Sequence, residues 1–399
     1  MLIEIFLAIL IGIIFGTIAG LLPGIHPNLV AIFLLSSSLF LLQYFDPLIL
    51  SLFIVAVTIT NTFIDACPSI FLGAPEGGME LSVLPGHRLL LQGRGYEAVL
   101  LTVIGSLLAV LILTFLTPLL IPSVKFGYPI IKNYIPHILI TASILLIFKE
   151  RKSKIWALII YFLSGILGLG TLNLPLSQPL FPLLSGLFGT STLTLSIIQK
   201  SKLPKQKITQ PKVNKKEISK SLSAGFLAST MTGLLPGLGA SQAAIISSSL
   251  LKKISTESFL VLMGSINTFV MIISFIALYV INKARNGSIV VVSQILQTFN
   301  LNYLILFLGT TLLVAGIATF LTLKLAKIFS NILSKVNYTR LCLIIIILIT
   351  VLVTILTGPL GLFVLIISTA LGIVPTLKGI GKNHLMGCLL FPIILFFVL

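Results

Sequence analysis

Gly20-Leu21-Leu22-Pro23-Gly24 and Gly233-Leu234-Leu235-Pro236-Gly237 are the same five residues, set 213 positions apart inside apolar segments of a 399-residue chain. Proline removes a backbone donor and glycine relaxes the dihedrals, so each copy reads as a break in a helix. In hydrocarbon such a break leaves N–H groups that only protein, a bound anion or an ion path can satisfy. Small polar groups and fresh apolar runs follow: Pro27-Asn28-Leu29 in one copy, Ala240-Ser241-Gln242 in the other. The interval is about half the chain, and two further echoes keep nearly the same offset. Asn61-Thr62-Phe63 is repeated as Asn267-Thr268-Phe269, and Leu167-Gly168 as Leu371-Gly372. Paired broken helices in two halves are the pattern of a secondary transporter.

Composition requires a membrane. The chain is 57% hydrophobic and 9% charged, with a mean hydropathy of +1.17, too few polar residues to cover a soluble domain of this size. Glu4 sits where a cleavable leader would carry a basic residue, so the first segment is expected to be retained. Cys67, Cys342 and Cys388 share no disulfide or metal spacing and read as small packing residues.

The net charge of +17 is concentrated at span ends rather than in a nucleic-acid-binding surface. Eight lysines fall within 200–220, and Lys149, Arg151, Lys152 and Lys154 follow an apolar run, whereas no Lys or Arg precedes Arg88. Basic loops stay in the cytoplasm. Apolar segments near 2–22, 28–44, 48–70, 97–122, 128–148, 155–171 and 179–199 are followed by a second set. These lie near 221–236, 237–251, 256–281, 301–323, 341–356, 362–377 and 383–399. Counting crossings puts the amino terminus outside and the basic stretches inside. The expected fold is an all-α integral membrane protein, a polytopic helical bundle of two inverted-topology repeats with broken helices or re-entrant hairpins. The first repeat spans 1–199 and the second 221–399, joined by a basic cytoplasmic linker, 200–220, with Pro204 and Pro211, that is not expected to pack.

The stretch Ala66-Cys67-Pro68-Ser69-Ile70 through Gly73-Ala74-Pro75-Glu76-Gly77, then Leu84-Pro85-Gly86-His87 and Gln92-Gly93-Arg94-Gly95-Tyr96-Glu97-Ala98, resembles the large permease subunit of tripartite tricarboxylate transporters, the TctA family. Pro23-Gly24 and Pro236-Gly237-Leu238-Gly239 are similar to that family's two glycine-proline signatures, and the short chain is most like its compact archaeal branch. The resemblance implies a many-span permease in the cell membrane that moves a carboxylate on an ion gradient. Its implied partners are a small membrane subunit and an extracytoplasmic binding protein. The partner set is therefore a small-molecule anion, membrane lipids and those two subunits, with a homodimer allowed and no nucleic acid.

The residues suggest where the chemistry lies. Helix N-termini after the breaks carry free N–H donors and partial positive charge. A carboxylate is expected at Gly24 and Gly237 with Gly239, and Asn28, Ser241 and Gln242 add side-chain hydrogen bonds. The alternative is that Gly and Pro merely kink packed helices. His26 sits in the first break as a proton relay or as a partner for freed backbone groups. Asp65 is the acid placed deepest in apolar sequence, and a carboxylate there must pair, protonate or bind a cation. With Asn61, Thr62, Asn267 and Thr268 it is the expected coupling site for sodium or protons; the bland alternative is a helix cap at the interface. Glu76 and Glu80 fall in a glycine-rich gate-like loop, able to pair with Arg88 and Arg94. Lys283 and Arg285 lie in a loop on the opposite side. No cofactor is expected beyond the coupling ion. No phosphate-cradling loop, CxxC pair, nucleophile elbow or clustered metal ligands support catalysis. A lipid-phosphate translocator, moving polyprenyl phosphate, is the competing class, since helix N-termini bind phosphate as well as carboxylate.

Overall fold

The computed structural model describes residues 2–22, 26–74, 79–200, 203–211, 213–234, 239–251, 254–284, 286–334 and 336–398. Among these the chain is helical throughout and contains no strand. In the first half α1 (Leu2–Leu21), α2 (Pro27–Ser36), α3 (Ser38–Leu41) and α4 (Pro47–Ile64) are followed by a π-helical turn at Pro68–Leu72. Then come α5 (Val83–Leu90), α6 (Gly95–Ile131), α7 (Ile135–Phe148), α8 (Lys154–Leu172), α9 (Leu180–Leu184), a second π-helical turn at Ser185–Thr190, and α10 (Ser191–Ile198). The second half runs α11 (Lys215–Leu234), α12 (Ala240–Leu250), α13 (Thr256–Ile281), α14 (Gly287–Leu296), α15 (Leu301–Leu333), α16 (Tyr338–Lys378) and α17 (Gly387–Val398). Eight helical stretches among the described residues are long and apolar enough to cross a membrane. The protein is a polytopic all-α membrane protein.

Both helix interruptions stand where the repeated pentapeptide puts them: α1 ends at Leu21 and α2 begins at Pro27, while α11 ends at Leu234 and α12 begins at Ala240. The two halves also pack reciprocally. α1 lies along α4 as α11 lies along α13; α6 packs on α13 and α15 on α4; α8 packs on α17, and the 180–198 segment on α16. Small residues allow these approaches. Gly12, Gly16 and Gly20, spaced four apart on α1, face α4 so closely that a Cβ at Gly12 would lie 2.7 Å from Ala56 Cβ. Gly105 of α6 sits against the Val261 carbonyl, Gly264 of α13 against that of Thr102, and Ser106 Oγ donates to Gly264 O at 3.0 Å. Apolar side chains are as soluble in lipid as in protein, so close backbone contact rather than hydrophobicity holds such helices together. α4 and α13 are the most buried spans; α1 and α16 turn much of their surface outward, as Phe6, Ile14, Ile344 and Phe363 show.

Several expectations need correction. Segments 97–122 and 128–148 are not separate spans divided at 123–127, because α6 runs unbroken to Ile131 through Pro118, Pro122 and Pro129. Segments 341–356 and 362–377 do stand as two helical stretches, the halves of α16, which meet at Gly358, whose φ of 69° and ψ of −166° are not helical, ahead of Pro359. The loop after α13 holds a further helix, α14, which Asn286 caps by accepting from Ser288 N. The 200–220 linker packs, and its last six residues are already α11. Gln206 Oε1 accepts from Gly95 N at 3.0 Å and its Nε2 donates to Leu90 O, Lys207 N donates to Gly93 O, and Thr209 Oγ1 donates to Glu97 Oε2 at 2.8 Å. The polar composition that suggested a free tether instead supplies donors and acceptors for exposed helix ends. The three cysteines are buried and unbridged, as packing residues should be.

Candidate functional site

α4 and α13 are the core spans, yet both bury polar side chains. Thr58, Thr60, Asn61, Thr62, Asp65 and Thr268 are all buried, Asp65 being 1% exposed. Thr62 and Asp65 lie one turn apart on α4 and its C-terminal cap, facing Asn267 and Thr268 of α13. Asn267 Nδ2 donates to Asp65 Oδ2 at 2.7 Å, and Thr268 Oγ1 donates to Thr62 Oγ1 at 3.4 Å. The five residues singled out for ion coupling therefore include two cross-half pairs in direct contact. Asn61 lies beside them, its Nδ2 buried with no hydrogen-bond partner.

The helix ends that lead into both breaks pack on α4 and α13. Gly20, in the last turn of α1, is packed on α4 so that an added Cβ would lie 3.4 Å from Asn61 Nδ2. Gly233, the last turn of α11, faces Val270 and Ile273 of α13, where an added Cβ would lie 2.9 Å from Ile273 Cγ2. Val270 is one turn from Asn267, so the last turn of each interrupted helix packs on its own half's Asn-Thr helix. Asp65 and its neighbours assemble carboxylate, hydroxyl and amide oxygens, the donors hard cations favour.

The residues after the breaks are less free than expected. His26 caps α2, its Nδ1 accepting from Asn28 N at 3.2 Å, so it serves a freed backbone donor. Asn28 Oδ1 accepts from both Ser288 N and Ser288 Oγ at 2.9 Å and so ties α2 to the start of α14. Gln242 Oε1 accepts from Gly239 N at 2.9 Å at the start of α12. Ser241 is buried in that first turn. Gly24, Gly237, Glu76 and Arg285 lie outside the described residues, and Glu80 is placed by its backbone alone, in a short 3-10 turn. Lys283 is exposed. Arg94 binds Glu97 through two nitrogens, at 2.6 and 2.9 Å, and Glu257 of the second half at 3.0 Å. The hydrogen bond from Glu97 raises the Arg94 pKa further above its usual range.

Sequence reasoning missed three polar contacts. Tyr338 hydroxyl and His87 Nε2 are 2.6 Å apart in the interior. His384 Nε2 meets Glu150 Oε2 at 3.1 Å, and Gly381 N donates to the same oxygen. Burial opposes the Glu150 charge, but bonds from Gly381, Lys152, His384 and Arg151 outweigh it and lower its pKa to about 2. Lys382, a basic residue just ahead of the last apolar segment, is buried, its Nζ donating to Ser191 Oγ and Thr192 Oγ1 at 2.9 and 2.8 Å. Nothing in a Lys-Asn-His tripeptide signals that; only the apolar run directly after it hints at depth.

Comparison with known proteins agrees with this architecture. Residues 6–387 match the tripartite tricarboxylate transporter TctA family. The chain belongs to the TctA family. It is also 32% identical over 385 residues to an uncharacterized protein of Methanocaldococcus jannaschii, covering 94% of each chain. No solved structure matches it. The chain is thus a transporter permease of the kind that forms the large membrane subunit of tripartite systems, which work with a small membrane subunit and a binding protein.

Proposed function

We propose that this TctA-family chain is a secondary active transporter that moves a small organic anion of the di- or tricarboxylate type by alternating access, coupled to sodium or protons. The observation that carries the reading is the Asp65–Asn267 hydrogen bond, which joins the two halves through α4 and α13, the helices on which the ends leading into both breaks pack. The broken-helix N-termini supply N–H donors and partial positive charge for the carboxylates, with Ser241 and Gln242 at the start of α12 nearest to hand. Asp65, Thr62, Asn267 and Thr268 bind the coupling ion, whose charge offsets that of the carboxylate. Halves of opposite orientation rock about this seam, and a small membrane subunit and an extracytoplasmic binding protein deliver the anion.

The test is uptake of radiolabelled succinate and citrate into vesicles from cells expressing the chain with its tripartite partners, under imposed sodium or proton gradients. Accumulation that collapses when the gradient is dissipated is the expected result. Equilibration without accumulation under either gradient contradicts the coupled mechanism.

A further inference from the structure

Lys382 is the buried charge that this mechanism does not use. It is 3% exposed and lies in the 3-10 turn Lys382–Met386 between α16 and α17, a turn that packs on α8 and from which the side chain reaches α10 of the first half. Its Nζ donates to Ser191 Oγ and Thr192 Oγ1. Both hydroxyls are neutral, and their own protons are committed to the carbonyls of Leu187 and Phe188, so they turn lone pairs towards the ammonium. No carboxylate among the described residues forms an ion pair with it; the nearby acid, Glu150, is engaged by His384 and Gly381 N.

A buried ammonium without a counter-charge is costly, and removing such a charge commonly stabilises a protein. Here it is held in place by two side chains of the first turn of α10, Ser191 and Thr192, across the contact between the two halves. A second buried donor set lies within electrostatic range. His87, on which the Lys382 charge acts, holds Tyr338 through Nε2 and leaves its Nδ1 with no hydrogen-bond partner. The ammonium rests on two neutral acceptors with no acid beside it, so its charge is left for an oxyanion to offset.

We infer that Lys382, held in position by Ser191 and Thr192, is the cation of an oxyanion-binding site, for a carboxylate or phosphate group, at the contact between the halves and separate from the helix breaks. The inference rests on the transport reading, because the enclosed ammonium is reached only when the turn carrying it shifts against α10, as alternating access requires. The π-helical turn and α10 belong to the first half and Lys382 to the second, so an anion bound here draws the halves together.

The experiment measures thermal unfolding of the purified full-length chain in nanodiscs, titrated with citrate, inorganic phosphate and a polyprenyl phosphate, for wild type, Lys382→Met and Lys382→Arg. A ligand that binds the folded state raises its melting temperature. The expected result is stabilisation of wild type by at least one soluble anion, a tenfold or greater weakening in Lys382→Met, and partial recovery in Lys382→Arg. Without ligand, Lys382→Met should melt at or above wild type, since it loses an uncompensated charge. Response to polyprenyl phosphate alone, with the same loss in Lys382→Met, keeps the site and assigns it to a lipid headgroup. Equal titration of wild type and Lys382→Met overturns the site, as does a wild type that none of the three ligands stabilises. Loss of coupled uptake with anion stabilisation intact would defeat the transport reading and leave the site standing.

Discussion

Asp65 decides how the centre of this molecule behaves. Its carboxylate is buried in an apolar core and accepts from Asn267, so replacing either residue changes one end of a single contact. Asn267→Ala leaves a buried carboxylate short of a donor and should cost about 1–3 kcal/mol of stability, read as a lower melting temperature in detergent at neutral pH. The exchanged pair, Asp65→Asn with Asn267→Asp, should recover most of that loss. Glu150 offers a test by pH. Its pKa falls from an ordinary 4.5 to about 2 on folding, so its stabilisation is complete above 4.5 and is lost as pH falls from 4.5 towards 2. The melting temperature of wild type should therefore drop across that window more steeply than that of Glu150→Gln; parallel curves would show that the carboxylate contributes nothing.

Asn61, Thr62, Asn267 and Thr268 were legible as residues because the same tripeptide recurs in two polar patches of otherwise apolar sequence. Lys382 was not, since a lysine at the edge of an apolar run looks alike whether it caps a loop or enters the core. Asn28 was read as a free hydrogen-bonding side chain because α14, which engages it through Ser288, was itself hidden in a segment taken for a loop.

Helices here are held by close approach, and interruptions are set by single residues. Gly16 of α1 faces the Val57 carbonyl and Thr60, where an added Cβ would lie 2.8 Å from Thr60 Cβ. Gly16→Leu should push α1 from α4 at a cost of about 1–3 kcal/mol, visible as earlier unfolding. Gly358 is the opposite case. An added Cβ there meets nothing within 4 Å, but φ is +69°, so Gly358→Ala reports backbone strain alone and should cost about 1–2 kcal/mol. No loss of stability would mean that α16 straightens through this position. The breaks after α1 and α11 were readable from Pro and Gly because both sit among residues that would otherwise continue a helix. α6 marks the limit of that rule: three prolines occur within one unbroken helix, as neighbouring groups allow in membrane proteins.

Across the whole molecule the two halves are interlocked rather than juxtaposed. α6 packs on α13, α15 on α4, α8 on α17, and the 180–198 segment on α16, while the linker binds back to Gly93, Gly95 and Glu97. Residues 1–203 and 204–399 expressed together as separate chains should copurify, and each alone should be degraded. Independent stability of either half would contradict the interlocked packing. The membrane class, the family and the duplicated motifs were all readable in the sequence, because each rests on composition or on repeated local pattern. The grouping of Asp65 and Thr62 with Asn267 and Thr268 was readable too, but the linker's bonds to Gly93, Gly95 and Glu97 and the Lys382 contact with α10 were not, since they depend on which faces meet.

The most direct test of the account is the ion dependence of succinate and citrate uptake by Asp65→Asn beside wild type, in vesicles carrying the full transporter. The account predicts that wild type accumulates the anion on a sodium or proton gradient. Asp65→Asn, inserted to the same level, should lose that dependence and most of the accumulation. Uptake by Asp65→Asn with the same sodium and pH response as wild type would show that Asp65 does not bind the coupling ion, and the central claim would fall.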